Sequence, residues 1–378
     1  MNYEELLWER LYKAFIDCLK HKKNKNSTLE FYDARLTSKL FEIYQELLNF
    51  NYNPKKSRRY IISDPAWREI YAADFFDRII HHFFMNEIND CLEGILIDNC
   101  CSCRKGKGTA YALKLFKERM MALSNNYQND VYCLKIDLSG YFMKINRAEL
   151  NKKFKALINN YYKGEFRQLL LYLCDFIVLD NPAKDCIDCF NPALLKFVPE
   201  RRILNPNSIN GMAIGNLPAQ AGSNLNLNGL DHYIISIFPD YVRYVDDIVI
   251  LSNDKNKLKN YYNIIIRKLQ EYGQLINIKK TNIINCKYGV KFLEKITYPS
   301  GIQKPSKQYC SRMMTHTEKV IKEPTDYELR ITSQIGTIIN YNGRKLIQNY
   351  ADTLQNGGIQ TNGILKRFKF SNVRTGTY

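Results

Sequence analysis

Two adjacent aspartates, Asp246 and Asp247, interrupt a run of β-forming side chains in the stretch YVRYVDDIVILS, residues 241–252. Burying a carboxylate among core-type residues is costly unless a partner neutralises its charge. A third acid, Asp137, ends another apolar run, CLKIDLSGYF. A strand that ends on an acid and a hairpin with two acids at its turn can converge on adjacent strands of one sheet. Three carboxylates at that point would form an oxygen-ligand site for hard divalent cations; for the Asp pair, a solvated turn is the alternative interpretation.

The overall charge indicates a polyanionic partner. Lys and Arg number 55 against 38 Asp and Glu, which gives a formal charge of +17. Phosphate backbone is the commonest partner of such an excess, although a basic surface kept for solubility is the alternative. A pair of divalent cations on the three carboxylates would activate an attacking hydroxyl and stabilise a leaving phosphate oxygen.

Helical and strand-like patterns alternate along the chain, which predicts an α+β fold. Periodicity predicts helices over residues 3–20, 29–50, 147–175 and 255–272, and an apolar helix from about residue 75. Short strands are predicted at residues 131–137 and up to about residue 298, with a hairpin at 241–252. Pro218 is well placed to open a further helix.

In this order along the chain, DLSGYF (Asp137 to Phe142) and YVDD (Tyr244 to Asp247) resemble the first catalytic motif and the palm hairpin of reverse transcriptases. The resemblance implies a right-hand polymerase with fingers, a palm built on an antiparallel sheet, and a helical thumb. It implies fingers with N-terminal helices at 1–125. The implied palm is 126–298, with a finger-side insertion at about 147–210, and a thumb with a basic tail follows at 299–378.

The same resemblance assigns catalytic and metal-binding roles. Asp137 and Asp246 would carry most of the metal binding, with Asp247 as support and Leu138 as a further metal-contacting position. Lys280, in NIKKTNI, lies at the family's fourth palm motif and would protonate the departing pyrophosphate. The implied cofactor is a pair of Mg²⁺ ions, for which Mn²⁺ can substitute.

Nucleotide binding is implied for two further motifs. The Phe142 ring would exclude a 2′-hydroxyl and so select deoxynucleotides; a core aromatic is the alternative. GMAIGNLPAQ (Gly211 to Gln220) resembles the template-and-nucleotide motif, in which Gly215 permits close backbone approach. Many relatives carry Gln at the Ile214 position, so this chain lacks an amide that would contact the nucleotide. The implied nucleotide-binding residues are Arg68, Ser139, Gly140, Tyr141, Phe142, Ile214, Gly215 and Gln220.

Two other segments are expected to contact nucleic acid. The basic, Gly-containing loop CRKGKGTAYAL would lay cations and amides along template phosphate, with a solvated basic loop as the alternative. VKFLEKI resembles the primer grip. The implied nucleic-acid-binding residues are Arg104, Lys105, Lys107, Tyr244, Phe292 and Leu293.

The implied activity is RNA-directed DNA synthesis. The Ile-Gly pattern with a downstream Gln resembles bacterial diversity-generating retroelement enzymes, which lie close to antiphage-defence and group II intron-like reverse transcriptases. We therefore expect error-prone cDNA synthesis, with a structured non-coding RNA template, a DNA or RNA primer, dNTPs and a small basic accessory protein oligomer as partners. The alternatives are an antiphage-defence enzyme that copies a dedicated non-coding RNA, template-independent or protein-primed synthesis, and an RNA-binding module without chemistry. The presence of all three acids argues against the last.

The N-terminus is charged and amphipathic, unlike a signal peptide, and no run of about 18 apolar residues suits a membrane span. The 11 cysteines form no regular framework, so reduced thiols are expected. The sequence therefore predicts a cytoplasmic protein without a membrane segment.

Overall fold

A computed structural model of the chain describes residues 2–20, 36–63, 66–324, 327–339 and 344–361. The chain divides into two compact units, each built from three segments. The first unit contains Met1–Lys105, Asp137–Pro239 and Tyr262–Lys279, and the second contains Gly106–Ile136, Asp240–Tyr261 and Lys280–Tyr378.

Helices make up most of the described chain. In chain order they are α1 (Tyr3–Leu19), α2 (Leu36–Leu48), α3 (Phe75–Ile95), α4 (Thr109–Ser124), α5 (Tyr141–Lys144), α6 (Arg147–Tyr161), α7 (Arg167–Ile177), α8 (Leu217–Ile237), α9 (Lys255–Glu271), α10 (Lys307–Lys322), α11 (Tyr327–Ile339) and α12 (Arg344–Asn356). Several begin at favourable caps: Asn2 forms a capping box with Glu5, and Pro218 occupies the first turn of α8.

The strands are shorter than the helices. They are β1 (Ser57–Ile62), β2 (Arg68–Ala72), β3 (Tyr132–Asp137), β4 (Cys186–Asp188), β5 (Tyr241–Tyr244), β6 (Asp247–Ser252), β7 (Asn282–Asn285), β8 (Val290–Phe292), β9 (Lys295–Thr297) and β10 (Gln303–Pro305). They form three sheets, with strand orders β2-β1-β4, β5-β6-β3-β7 and β10-β9-β8. β1 runs antiparallel to β2 but parallel to β4.

The first unit is built around the long helix α3. Its side chains at positions such as Phe76, Ile80, Phe83 and Phe84 are all less than 5% exposed, and it packs against α1, α7, α6 and α8. A helix buried on most sides needs apolar residues around most of its circumference, and the run FFDRIIHHFF provides them.

In the second unit, β5-β6-β3-β7 and β10-β9-β8 lie with α4, and α10–α12 form a separate small core. Buried Met313, Ile331, Ile347 and Tyr350 belong to that core. Apolar residues at helical spacing on all three helices explain why they pack together.

These elements confirm the predicted α+β fold with antiparallel sheets. The predicted helix over 147–175 is instead two helices, α6 and α7, because the chain leaves helical geometry at Tyr162 and passes through Gly164. The division into fingers, palm and thumb stays a prediction, and the basic tail lies outside the described residues. Across the described residues, none of the helices combines the length and apolar character that crossing a membrane requires.

Candidate active site

The predicted hairpin is present, and its turn is strained. Strands β5 and β6 pair with Tyr244 opposite Asp247, so Val245 and Asp246 form a two-residue loop. Val245 has φ 56°, in the left-handed region where a β-branched side chain is an outlier. Such backbone strain costs about 1–3 kcal/mol and persists only when the surroundings hold it.

Arg243 is one of the groups that hold this turn. Its side chain is fully buried, and Nη1 donates to the Val245 carbonyl over 3.1 Å. The Tyr244 hydroxyl, on the other side of the loop, accepts a hydrogen bond from Thr109 Oγ1 at 3.1 Å. Both contacts fix the residues that directly precede the two acids, so the loop is anchored next to the Asp pair.

The strand next to β6 is β3, which ends at Asp137. Lys135, two residues before the end of β3, has its Nζ 3.9 Å from Oδ1 of Asp247, the first residue of β6. The final residues of β3 and the first residue of β6 therefore belong to the same end of the sheet. Lys135 also donates to the Lys291 carbonyl at 3.0 Å, which fixes its ammonium group beside Asp247.

The donor chemistry at this end of the sheet fits a hard divalent cation, because carboxylate oxygens are the ligands that such ions prefer. Asp137 and Asp246 are half-buried, and the Asp247 side chain is 30% exposed. Among the described residues, no group of three or more His, Cys, Asp and Glu side chains is arranged as a metal site. The shared three-carboxylate site thus stays a prediction.

In the first unit, the Asp137 loop is fixed by backbone hydrogen bonds. The Asn277 amide donates to the Asp137 carbonyl at 2.8 Å, and the Ser139 amide donates to the Leu275 carbonyl at 2.7 Å. These bonds flank the antiparallel bridge between Leu138 and Ile276. In such a pair the backbone carbonyl of Leu138 points away from Ile276, toward the opposite edge of the strand. The Leu138 side chain is buried, with only 3% of its surface exposed.

The rest of this loop contains three predicted nucleotide-binding residues, Gly140, Tyr141 and Phe142. Gly140 has φ 64°, a conformation that favours glycine, and it precedes the short helix α5. Phe142 is half-buried, with its ring centroid 5.5 Å from that of Tyr141. Tyr141 itself is 2% exposed, and its hydroxyl donates to the Ser223 carbonyl. The Tyr141 side chain therefore anchors the loop to α8, and its nucleotide-binding role stays a prediction.

The motif GMAIGNLPAQ docks against β2. The Tyr71 amide donates to the Ile214 carbonyl at 2.9 Å, and Asn216 Oδ1 accepts from the Ala73 amide at 3.3 Å. Gly215 has φ 126°, and a Cβ there would lie 2.6 Å from the Tyr71 carbonyl oxygen, so glycine is required. The Met212 amide donates to the Phe142 carbonyl at 2.9 Å. The structure thus brings together this motif, Phe142 and the strand that begins with Arg68.

In the basic loop, Arg104 is a structural residue. Its guanidinium pairs with Glu93 at 2.8 Å and donates to the Ile97 and Cys100 carbonyls at 2.6 and 2.9 Å, and its side chain is 4% exposed. Its assignment to template phosphate stays a prediction. Lys105 is exposed, and Lys107 lies over the Tyr111 ring at 5.4 Å.

An open groove of about 440 Å³ in the first unit brings Gln220 and Lys105 together. Its other walls come from polar and apolar side chains of α1, α3 and α8, including Lys13, Asn86 and Leu217. Because Gln220 is exposed at this groove, its amide is available to a ligand.

The primer-grip prediction concerns Phe292 and Leu293, and it stays a prediction. Phe292 is fully buried, and its ring packs on Phe116 with centroids 5.2 Å apart, so its side chain belongs to the core. Leu293 and Glu294 form the β8–β9 turn with φ of 47° and 67°, and Leu293 is half-buried. Lys280 is exposed at the end of a short 3-10 helix, Ile278–Lys280.

Sequence reasoning missed two charged residues of these segments: Lys135 and Arg243. The available signal for Arg243 was its place in the YVRY strand, where an inward-facing cation requires a buried partner.

Known proteins resemble this chain both in sequence and in fold. The sequence matches the family model described as reverse transcriptase (RNA-dependent DNA polymerase) over residues 53–296. No curated protein matches it significantly. Among solved structures, an apo telomerase from Candida tropicalis aligns with a TM-score of 0.50 and 12% identity, covering 89% of this chain and 64% of that chain. The same telomerase truncated from its C-terminal domain aligns with a TM-score of 0.44 and 14% identity, over 67% of this chain and 54% of that chain.

At this identity the first structural likeness shows the fold alone, and it supports the predicted polymerase fold. The chain spans 64% of the length of that telomerase chain. The family match covers more than half of the 378 residues and contains Asp137, Gly215, Asp246 and Lys280. The chain therefore belongs to the reverse transcriptase (RNA-dependent DNA polymerase) family.

Proposed function

We propose that this chain synthesises DNA on an RNA template, with Asp137, Asp246 and Asp247 at the reacting centre. The observation that carries the proposal is the strained Val245–Asp246 turn, held by buried Arg243 at the sheet end where β3 also terminates. Natural proteins retain backbone strain of this kind mostly at functional sites.

Members of this family use divalent metal ions, and we assign a pair of Mg²⁺ ions to the three aspartates. When bound, such ions would activate the primer 3′-hydroxyl and neutralise charge on the leaving pyrophosphate. The protein's own groups orient the reactants. The Phe142 ring excludes a ribose 2′-hydroxyl, Arg68 binds triphosphate oxygens, and Lys280 delivers a proton to the departing pyrophosphate.

Asp246→Asn tests this assignment. The amide keeps the size of the side chain but removes the anionic ligand, so we expect Mg²⁺-dependent dNTP incorporation on an RNA template to fall by at least about a thousandfold. RNA affinity should change less than about twofold, because the protein's cations supply that binding. Primer extension and RNA binding are measured on the same preparation.

The matched control is Asp254→Asn, the same change on an exposed acid of the same unit whose side chain accepts from the Asn256 amide at 2.8 Å. This variant should retain full synthesis. Synthesis by a pure Asp246→Asn enzyme would refute the assignment.

Within this activity we propose error-prone copying, as in diversity-generating retroelements, in the bacterial cytoplasm with a small basic accessory oligomer. Ile214 supports it, because an apolar side chain stands where many relatives carry an amide that contacts the nucleotide. The backbone of Ile214 and Gly215 contacts Tyr71 of β2. Met212, in the same motif as Ile214, donates to the Phe142 carbonyl.

Sequencing the cDNA tests this role. We expect misincorporation to be concentrated opposite template adenine, and Ile214→Gln should lower that frequency because it restores the amide. Faithful copying at adenine by the native enzyme would refute this role and favour the antiphage-defence alternative. Product without complementarity to the RNA would favour template-independent or protein-primed synthesis.

A further inference from the structure

The segment between α7 and α8, residues 178–216, is anchored to the sheet of β1 and β2. Within it, β4 pairs with β1, and Arg59 forms two bonds of 2.7 Å to the Asp188 carboxylate. The buried Glu69 carboxylate of β2 accepts from the Leu204 amide at 2.8 Å. These bonds fix the segment on both sides of a short 3-10 helix, Glu200–Arg202.

One contact of this short helix reaches the start of β2. Arg202 Nη1 donates to the Trp67 carbonyl at 3.2 Å, and Trp67 directly precedes Arg68. The Trp67 ring also stacks on Phe197, with centroids 5.0 Å apart and an interplanar angle of 23°. The helix therefore lies beside the residue predicted to reach the triphosphate.

A second contact reaches the DLSGYF loop. A Cβ built on Gly140 would lie 2.6 Å from the Arg201 carbonyl oxygen and 3.5 Å from the Arg201 Cβ atom. The Arg201 side chain thus begins next to Gly140, in the loop that runs from Asp137 to Phe142. Arg201 is exposed, and within the described ranges its guanidinium makes neither a hydrogen bond nor an ion pair.

We propose that Arg201 is a further nucleotide-binding residue, whose guanidinium takes phosphate oxygens of the incoming deoxynucleoside triphosphate. The inference rests on the proposed function and deepens it. The guanidinium of an arginine offers paired donors that match phosphate oxygens. The two contacts of the short helix place Arg201 between the strand that begins with Arg68 and the loop that contains Gly140. The residue acts by binding and takes no part in proton transfer.

Arg201→Ala tests the inference, with Lys184→Ala as the matched control because Lys184 is another exposed cation of the same segment. We expect the KM for dNTPs to rise by about ten- to hundredfold in Arg201→Ala, as loss of a charge-assisted contact predicts. The KM for primer–template and the unfolding midpoint should stay unchanged. Arg201→Lys should recover part of the loss, and Lys184→Ala should behave as the native enzyme.

Measuring nucleotide binding directly tests this inference independently of DNA synthesis. The probes are dGTP, inorganic tripolyphosphate and dGMP, titrated calorimetrically with Mg²⁺ into the full chain. Arg201→Ala should lose affinity for the first two probes and keep its affinity for dGMP.

If the native chain makes no DNA, the proposed function fails, whereas this difference between probes would still support Arg201. Unchanged dNTP KM and dGTP affinity in Arg201→Ala would overturn the inference. A loss confined to primer–template binding would overturn it as well, because Arg201 would then be an RNA contact.

Discussion

At the scale of single residues, buried polar groups determine the shape of the candidate site. Arg243 is enclosed among the apolar strands β5 and β6, yet its guanidinium bonds the carbonyl of strained Val245. Removing one member of a buried charged contact leaves an unsatisfied group and costs more than an exposed pair does. This explains how a β-branched residue persists in a left-handed turn next to the two acids.

Asp77 provides a pH test at the same scale. Its carboxylate is 2% exposed and accepts from the Tyr52 hydroxyl at 2.9 Å and the Lys55 amide at 3.0 Å. Burial raises its pKa to about 7, with the Asp74 charge adding to the shift while the bond from Tyr52 opposes it. The folded state therefore binds more protons than the unfolded state between about pH 4 and 7, so the stability from this group is lost as pH rises through that window.

We expect Asp77→Asn to remove this dependence, because an amide does not titrate. Between pH 5 and pH 8 the free energy of unfolding of the native protein should fall by about 2 kcal/mol relative to the variant. Urea unfolding of both proteins at the two pH values measures the difference. Parallel pH profiles would show that Asp77 is ionised throughout.

At the scale of elements, the sheet β2-β1-β4 joins distant parts of the sequence through one arginine. Arg59 bonds the exposed Asp188 of β4, and its Nη1 lies 3.2 Å from Oε1 of fully buried Glu69. Glu69 in turn accepts from the Leu204 amide, so β1, β2 and residues 186–204 share one polar network. The sheet therefore positions both Arg68 and the short helix of Arg201.

Two substitutions should separate the contributions of this network. Arg59→Met leaves Glu69 buried without its cation, so we expect the free energy of unfolding to fall by about 3 kcal/mol. Asp188→Asn changes only the exposed partner and should cost less than about 1 kcal/mol. Denaturant unfolding of the two variants measures both values, and equal costs would contradict the role of Glu69.

At the scale of the whole molecule, charge governs the expected encounter with RNA. The formal charge is +17, and exposed cations such as Lys105 and Lys280 belong to segments expected to meet nucleic acid. Binding by phosphate neutralisation releases counterions, so its affinity falls linearly with salt concentration on logarithmic axes.

We expect RNA affinity to fall at least about tenfold between 50 and 200 mM salt, since a few phosphate contacts suffice for that slope. Fluorescence anisotropy with a labelled single strand measures it, and the free energy of unfolding over the same salt range is the control. Affinity independent of salt would contradict an electrostatic interface.

Local patterns alone predicted the Tyr244–Asp247 hairpin, the strand that ends at Asp137 and the helix opened by Pro218, because alternation, turn length and caps are properties of neighbouring residues. Burial depends on partners far along the chain. The motifs that contain Tyr141, Phe292 and Arg104 carry no sign that these side chains contact Ser223, Phe116 and Glu93. The approach of Arg201 to Gly140 was likewise decided only by the tertiary fold, since long-range packing brings those two backbones together.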